Sequence, residues 1–200
     1  MKLTIFAAML AMAATSSATV VIVGNGRGPA ATREVTNSAN ELVTGFGAFG
    51  VLNEGGIAGM STTFEGLGFT QFGAGGGSVS TSTAGQFSFQ GDVGPSAGNA
   101  STFLNQNIYL VVGFGGSDLA TSTDLFIYKF DATFGDLNSP TPITQILTAA
   151  DAPGSVLLGT EVGNPSGSSA GRYGAVQLVP EPSVAILGAL GALGLIRRRR

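Results

Sequence analysis

Acidic side chains are the main candidates for chemistry in this 200-residue chain, because it contains no His and no Cys. Without imidazole or thiol there is no histidine general base, no Ser-His-Asp triad, no disulfide framework and no cysteine-ligated zinc. Asp118, Asp124, Asp131 and Asp136 fall close together in the sequence. Two carboxylates about 5–10 Å apart can hydrolyse a glycosidic bond. Carboxylate oxygens can also hold Ca²⁺, but the D-x-[DN]-x-[DN]-G pattern of a calcium loop is absent. Turn residues and solvated edge charges are the plainer reading of these four acids. Ser-Lys catalysis would have to use Lys129, the one lysine beyond Lys2, and it lies in an expected strand. Gly24, Gly26 and Gly28 follow an apolar run, but their spacing is not that of a dinucleotide loop and Pro29 comes next. A Gly-rich turn after a strand accounts for them. No G-x-x-x-x-G-K-[ST] occurs, so phosphate binding by a P-loop has no support. Asn99, Ala100 and Ser101 form a glycosylation-type sequon. The expectation is a protein that is not an enzyme and has no cofactor and no metal.

Charge separates the chain into a body and two ends. Residues 19–183 hold Arg27, Arg33, Lys129 and Arg172 against all twelve acids, a net of −8. Four scattered cations in an acidic body cannot release the counterions that drive nucleic-acid binding. They also offer no attraction to anionic lipid.

The N-terminal end reads as a secretory signal. Met1 and Lys2 form a short positive region, residues 3–14 are apolar, and Ser16, Ser17 and Ala18 supply small residues for cleavage after Ala18. Twelve helical residues rise about 18 Å, too little to cross a hydrocarbon core of roughly 30 Å.

The C-terminal end has three parts. Pro180, Glu181 and Pro182 form a stiff, extended break. Residues 183–196 carry no charge, and Arg197, Arg198, Arg199 and Arg200 follow. Arginines flanking an apolar run stay on the cytoplasmic side, which places the body outside. Fourteen residues rise only about 21 Å, so spanning requires snorkelling arginines or a thinned bilayer. Gly188, Gly191 and Gly194 line one helical face that permits close backbone approach.

Pro180-Glu181-Pro182, a short Gly/Ala/Leu-rich helix and an Arg cluster in that order resemble the PEP-CTERM protein-sorting domain. The resemblance covers residues 180–200. It implies an exported bacterial protein whose tail is recognised by exosortase, a membrane-embedded cysteine transpeptidase-like enzyme that cuts near Pro180-Glu181-Pro182. It also implies an association with exopolysaccharide or biofilm matrix. Residues 105–112 and 123–128 resemble recurring strands of short secreted proteins carrying this tail. The implied partners are signal peptidase, exosortase, the membrane and extracellular polysaccharide, with no nucleic acid. Expected localisation is tethering at the inner membrane, then the cell surface or exterior. A polysaccharide-binding β-sandwich, a secreted two-acid hydrolase and a permanently anchored single-pass protein remain as alternatives.

The body must supply whatever positions these groups. Thirty-two Gly and 13 Phe, with 44% hydrophobic residues, favour strands joined by turns over helices. Residues 86–90 alternate polar and aromatic, and residues 108–112 form a continuous apolar run suited to a strand covered on both faces. Residues 125–130 place Phe126, Tyr128 and Phe130 on one core-facing side. Further strands are expected over residues 19–23, 66–72, 155–161 and 172–179. Residues 45–51 are ambiguous because glycines weaken a strand and oppose a helix. Residues 36–43 and 143–150 could hold a helical turn or two. Residues 74–84, 115–123 and 164–171 have loop composition, the first of them that of a mobile loop. The expected fold class is mainly β, an antiparallel β-sandwich or jelly-roll-like body over residues 19–179. An N-terminal signal helix within residues 1–18 and a C-terminal sorting signal over residues 180–200, with a single membrane helix over residues 183–196, flank it.

Overall fold

The computed structural model describes residues 20–25, 33–58, 64–79, 85–92, 100–135, 141–147, 154–163 and 171–178. The expected signal helix and membrane helix lie outside these residues. Among the described residues, no helix is long and apolar enough to cross a membrane.

The described chain is mainly β, and its sheets are largely antiparallel. Strands β3 (Gly45–Leu52), β4 (Phe69–Val79), β6 (Asn107–Phe114), β7 (Asp124–Thr133), β9 (Gly154–Leu158) and β12 (Val176–Gln177) form a six-stranded sheet. Its order is β12-β7-β6-β3-β4, and β9 also pairs with β7. A second sheet orders β5 (Ser88–Asp92), β1 (Val20–Gly24) and β8 (Ile143–Ile146). The third orders β10 (Thr160–Val162), β11 (Arg172–Gly174) and β2 (Val35–Thr36). Two pairs are parallel, β1 with β8 and β11 with β2. Short helical turns occur at α1 (Gly55–Ala58), at the 3-10 turn Phe64–Leu67 and at α2 (Ala100–Phe103).

Both faces of the six-stranded sheet are buried at its central strands, β3, β6 and most of β7. Successive strand side chains point to opposite faces. Ile108, Leu110, Val112, Phe126, Tyr128 and Phe130 therefore join the large core, which also takes Val21, Val23, Phe89 and Tyr173 from the two smaller sheets and Phe87 from just before β5. Tyr109, Val111, Leu125 and Ile127 join a second cluster with Leu52 and Leu67. The expectation that residues 108–112 are covered on both faces is borne out. For residues 125–130 the aromatic side is core as expected, and the Leu125/Ile127 side is buried as well. At the centre of the large core, Phe72 stacks on Phe134 at 4.8 Å and meets Phe103 edge-on at 5.0 Å. Complete burial of one such side chain contributes about 1.5–3 kcal/mol.

Several expectations about elements are corrected. Residues 45–51 form β3, a central strand, because glycine there leaves room for neighbouring rings. A Cβ on Gly47 would sit 2.5 Å from the Phe89 ring. Residues 74–79 are the second half of β4 rather than a loop, paired through Gly77↔Gly47 and Gly76↔Ala48. Residues 66–72 divide into the end of the 3-10 turn and the start of β4. The helical turns expected over 36–43 and 143–150 are instead the end of β2 with a turn, and β8, within the described residues. At β8 pairing with the distant β1 outweighs local propensity, whereas after Thr36 the Asn37 Oδ1 accepts from the Ala39 and Glu41 N–H groups and closes a turn. The strand over 155–161 breaks at Gly159, whose φ of 130° favours a residue without a side chain. The strand over 172–179 breaks at Ala175. Residues 115–123 form the expected loop.

Candidate functional site

The expected sorting residues Pro180, Glu181, Pro182, Arg197, Arg198, Arg199 and Arg200, and the cleavage residue Ala18, lie outside the described residues. The approaches to both segments are described. On the C-terminal side, β12 pairs Val176 with Leu125 and Gln177 with Asp124. The Leu178 N–H then donates to the Thr123 carbonyl at 2.7 Å, and its side chain packs on the second apolar cluster. Backbone hydrogen bonds therefore hold the chain to within two residues of Pro180. On the N-terminal side, β1 opens at Val20, opposite Asp92 of β5.

Asp118 and Asp124 are each engaged by neighbouring polar groups, and Asp124 and Asp131 stand far apart. Asp118 is exposed in the β6–β7 loop, where its Oδ1 accepts from the Thr121 N–H at 2.8 Å and the Thr121 hydroxyl at 2.9 Å. The Thr121 backbone N–H is the main cause that holds the Asp118 carboxyl below its ordinary range, so at neutral pH it stays ionised and has no proton to give as a general acid. Asp124 is buried, and its Oδ2 accepts from the Ser38 N–H at 3.1 Å and the Ser38 hydroxyl at 2.9 Å. It fastens the turn after β2 to the start of β7. Asp131 is seven residues further along the same strand, about 23 Å at the rise of an extended chain, far beyond a catalytic pair's separation. Asp136 lies outside the described residues. No group of three or more acidic side chains that could hold a metal ion occurs among the described residues.

Lys129 is brought into a polar group that the sequence did not reveal. Its ammonium donates to Glu54 Oε1 at 2.7 Å, and the Tyr109 hydroxyl donates to the same oxygen at 2.7 Å. Tyr109 and Lys129 are directly opposite across β6 and β7, while Glu54 reaches them from the end of β3. The register also places Ser155 of β9 opposite Lys129. The hydrogen bond to Glu54 raises the Lys129 pKa, and the bond from Lys129 lowers that of Glu54. A lysine base needs the reverse shift, so this arrangement fits a surface clasp between β3 and β7 and not Ser-Lys catalysis.

A second charged group ties the third sheet together. Arg33 forms an ion pair with Glu161, and Arg172 Nε donates to Glu34 Oε2 at 2.8 Å. The Arg33 guanidinium lies 4.9 Å from the centre of the Tyr173 ring. Beside it, burial pushes the Tyr128 hydroxyl up to about 12 and also raises Tyr173. Of the four cations in the body, Arg33, Lys129 and Arg172 are thus engaged in ion pairs.

Asn25, the residue that follows β1, is served by the protein's own backbone. Buried Asn25 donates from Nδ2 to the Gly85 carbonyl at 2.7 Å and accepts at Oδ1 from the Phe87 N–H at 3.0 Å. Gly24 closes β1, while Gly26 and Gly28 lie outside the described residues. Sequence reasoning missed the Glu54, Asn25 and Arg33 partnerships because each joins residues that are far apart along the chain. Comparison of the chain with protein-family models, curated proteins and solved structures finds no match.

Proposed function

We propose that this chain is an exported, non-enzymatic surface or extracellular-matrix protein that is sorted and processed through residues 180–200. The observation that carries the reading is the ordered succession of Pro180-Glu181-Pro182, fourteen uncharged residues and four arginines. In this reading the first apolar segment directs export and is removed after Ala18. The second is retained in the membrane, with Arg197, Arg198, Arg199 and Arg200 held on the cytoplasmic side. An exosortase-type enzyme then cuts near Pro180-Glu181-Pro182 and releases the body.

The geometry is compatible with both cuts. Removal of residues 1–18 leaves β1 whole, since it begins at Val20, and a cut near Pro182 leaves β12 whole. The body of this reading is an antiparallel β-sandwich or jelly-roll-like unit, built on the mainly β architecture. Its tyrosines, Tyr109, Tyr128 and Tyr173, are all buried, so they offer no exposed ring on which a sugar could stack. That weighs against a polysaccharide-binding module as the primary role.

Mass spectrometry of both termini, on protein from cells and from medium, tests the proposal. The expected mature species starts near Thr19 and ends near Pro182. Recovery of residues 183–200 on all of the membrane-bound protein would favour permanent anchoring instead. A chain found only in the cytosol, with both ends uncut, would overturn the reading.

A further inference from the structure

We propose that β8 is a self-association edge, along which two copies of this chain pair antiparallel and join their three-stranded sheets into one six-stranded sheet. Among the described residues, β8 is the outermost strand of the order β5-β1-β8. The Leu147 N–H donates to the Gly24 carbonyl at 2.7 Å, continuing the parallel ladder in which Gly24 is opposite Ile146. In a parallel ladder, alternate residues direct both backbone groups to the same neighbour. Ile143, Gln145 and Leu147 therefore face β1, and Thr144 and Ile146 point their N–H and C=O groups away from it.

Beyond its shortness and the preceding Pro142, this edge carries no protection in its sequence. Residues 143–148 read Ile-Thr-Gln-Ile-Leu-Thr, with no charge, no Pro and no Gly. Short uncharged segments of high β-propensity at an exposed edge pair readily with identical copies. The other edges differ. β10 has three residues and carries Glu161, which is ion-paired with Arg33. β2 and β12 have two residues each, and the pairing of β9 is broken by a register shift. β5 lies against β4, where a Cβ on Gly91 would meet β4 backbone atoms within 3 Å. β4 itself is interrupted by a register shift and by Gly73 at φ 53°. Ile146 is 42% exposed on the outward side of its sheet, beside exposed Thr144.

One register uses both outward-pointing residues of each copy. Thr144 pairs with Ile146 of the second copy and Ile146 with Thr144, each pair exchanging two hydrogen bonds. Gln145 then faces Gln145 across a two-fold axis, an isologous contact. Sliding the strands so that Thr144 faces itself would bring Pro142, which has no N–H, opposite Ile146. No charged residue lies on β8, so no like charges meet at the axis. The pairing requires neither export nor processing of the C-terminal segment.

The chain has no cysteine, so single-cysteine variants read this register directly. Gln145→Cys, Thr144→Cys and Ile146→Cys are made in the full-length chain, oxidised with diamide and run on non-reducing gels. Gln145 pairs as a non-hydrogen-bonded position, with Cα atoms about 4.5 Å apart, inside the range a disulfide spans. Thr144 and Ile146 lie diagonally from their own copies at about 7–8 Å, at or beyond its limit. Disulfide dimer is expected to form at Gln145→Cys several-fold more than at the other two positions. Adding Ile146→Lys should reduce it several-fold while the far-UV circular dichroism spectrum stays that of the folded chain, because that side chain is partly exposed. Equal cross-linking at the three positions, as association through residues 183–196 would give, overturns the proposal. So does a preference for Thr144→Cys or Ile146→Cys, or no dimer at Gln145→Cys.

Discussion

Gly91→Ala and Gly77→Ala should change stability in opposite directions, although each adds one methyl group to a glycine-rich strand. Gly91 is buried in β5 opposite Val21. A Cβ there would lie 2.6 Å from the Phe72 carbonyl oxygen and 2.9 Å from both the Cα and the N of Gly75. All three obstacles are β4 backbone, in the bulged stretch 72–75 between the β3-paired residues Gln71 and Gly76. That stretch, or β5 itself, must shift to admit the methyl group. Gly77 is exposed, and its nearest neighbours would be Phe89 ring atoms at 3.8 and 3.9 Å, ordinary contacts. Neither glycine has a positive φ, so available space is what separates them. Replacing Gly with Ala restricts the unfolded chain and stabilises by about 0.4–1 kcal/mol where the native site accepts it. Overpacking against fixed atoms costs about 1–3 kcal/mol. Gly91→Ala should therefore destabilise by about 1–2 kcal/mol, and Gly77→Ala should stabilise by up to about 1 kcal/mol. At roughly 2–4 °C per kcal/mol for a chain of this length, the two variants should melt about 3–12 °C apart. Urea unfolding and thermal melting followed by circular dichroism measure both quantities. Wild-type stability in Gly91→Ala, or equal stability of the two variants, would refute the close approach of β4 and β5.

Two further outcomes follow from the core. Phe72→Ala removes a fully buried ring that packs on Phe49, Phe103 and Phe134, and should cost about 3–5 kcal/mol in denaturant unfolding. A loss below about 1 kcal/mol would mean that this cluster is not packed as described. Tyr109, Tyr128 and Tyr173 all have raised pKa values, chiefly from burial, with Tyr128 pushed up to about 12. Above the ordinary tyrosine value of 10.0 the unfolded chain loses these protons and the native chain keeps them, so stability should fall as pH rises from about 10 towards 12. Spectrophotometric titration of the native protein should show phenolate appearing late, and early ionisation of all three tyrosines would contradict their burial.

The parts of the fold legible in the sequence are those where one segment carries its own pattern. The apolar run at residues 108–112 and the aromatic alternation of Phe126, Tyr128 and Phe130 announce β6 and β7. The glycine-rich strands are not legible in this way. Locally, Gly45, Gly47, Gly50 and Gly75 weaken a strand, and only the rings of Phe114, Phe89 and Phe49 and the neighbouring β4 backbone make their missing side chains favourable. β8 was hidden for a related reason, since its partner β1 is more than a hundred residues away. The carboxylates illustrate the same limit at the candidate site. Asp118, Asp124 and Asp131 look clustered along the chain, yet an extended strand carries Asp131 away from Asp124.

The sequence by itself determines which chemistry is missing, because a chain without His or Cys has no imidazole or thiol in any conformation. It also determines the two apolar segments and the Pro180-Glu181-Pro182 break, since length, hydropathy and flanking charge belong to contiguous residues. Tertiary structure decides which distant groups meet. Glu54 reaches Lys129 across 75 residues and Arg172 reaches Glu34 across 138, pairings set by strand register and sheet order. Register depends on how whole faces are buried, and that is a property of the assembled sheets and not of any one strand.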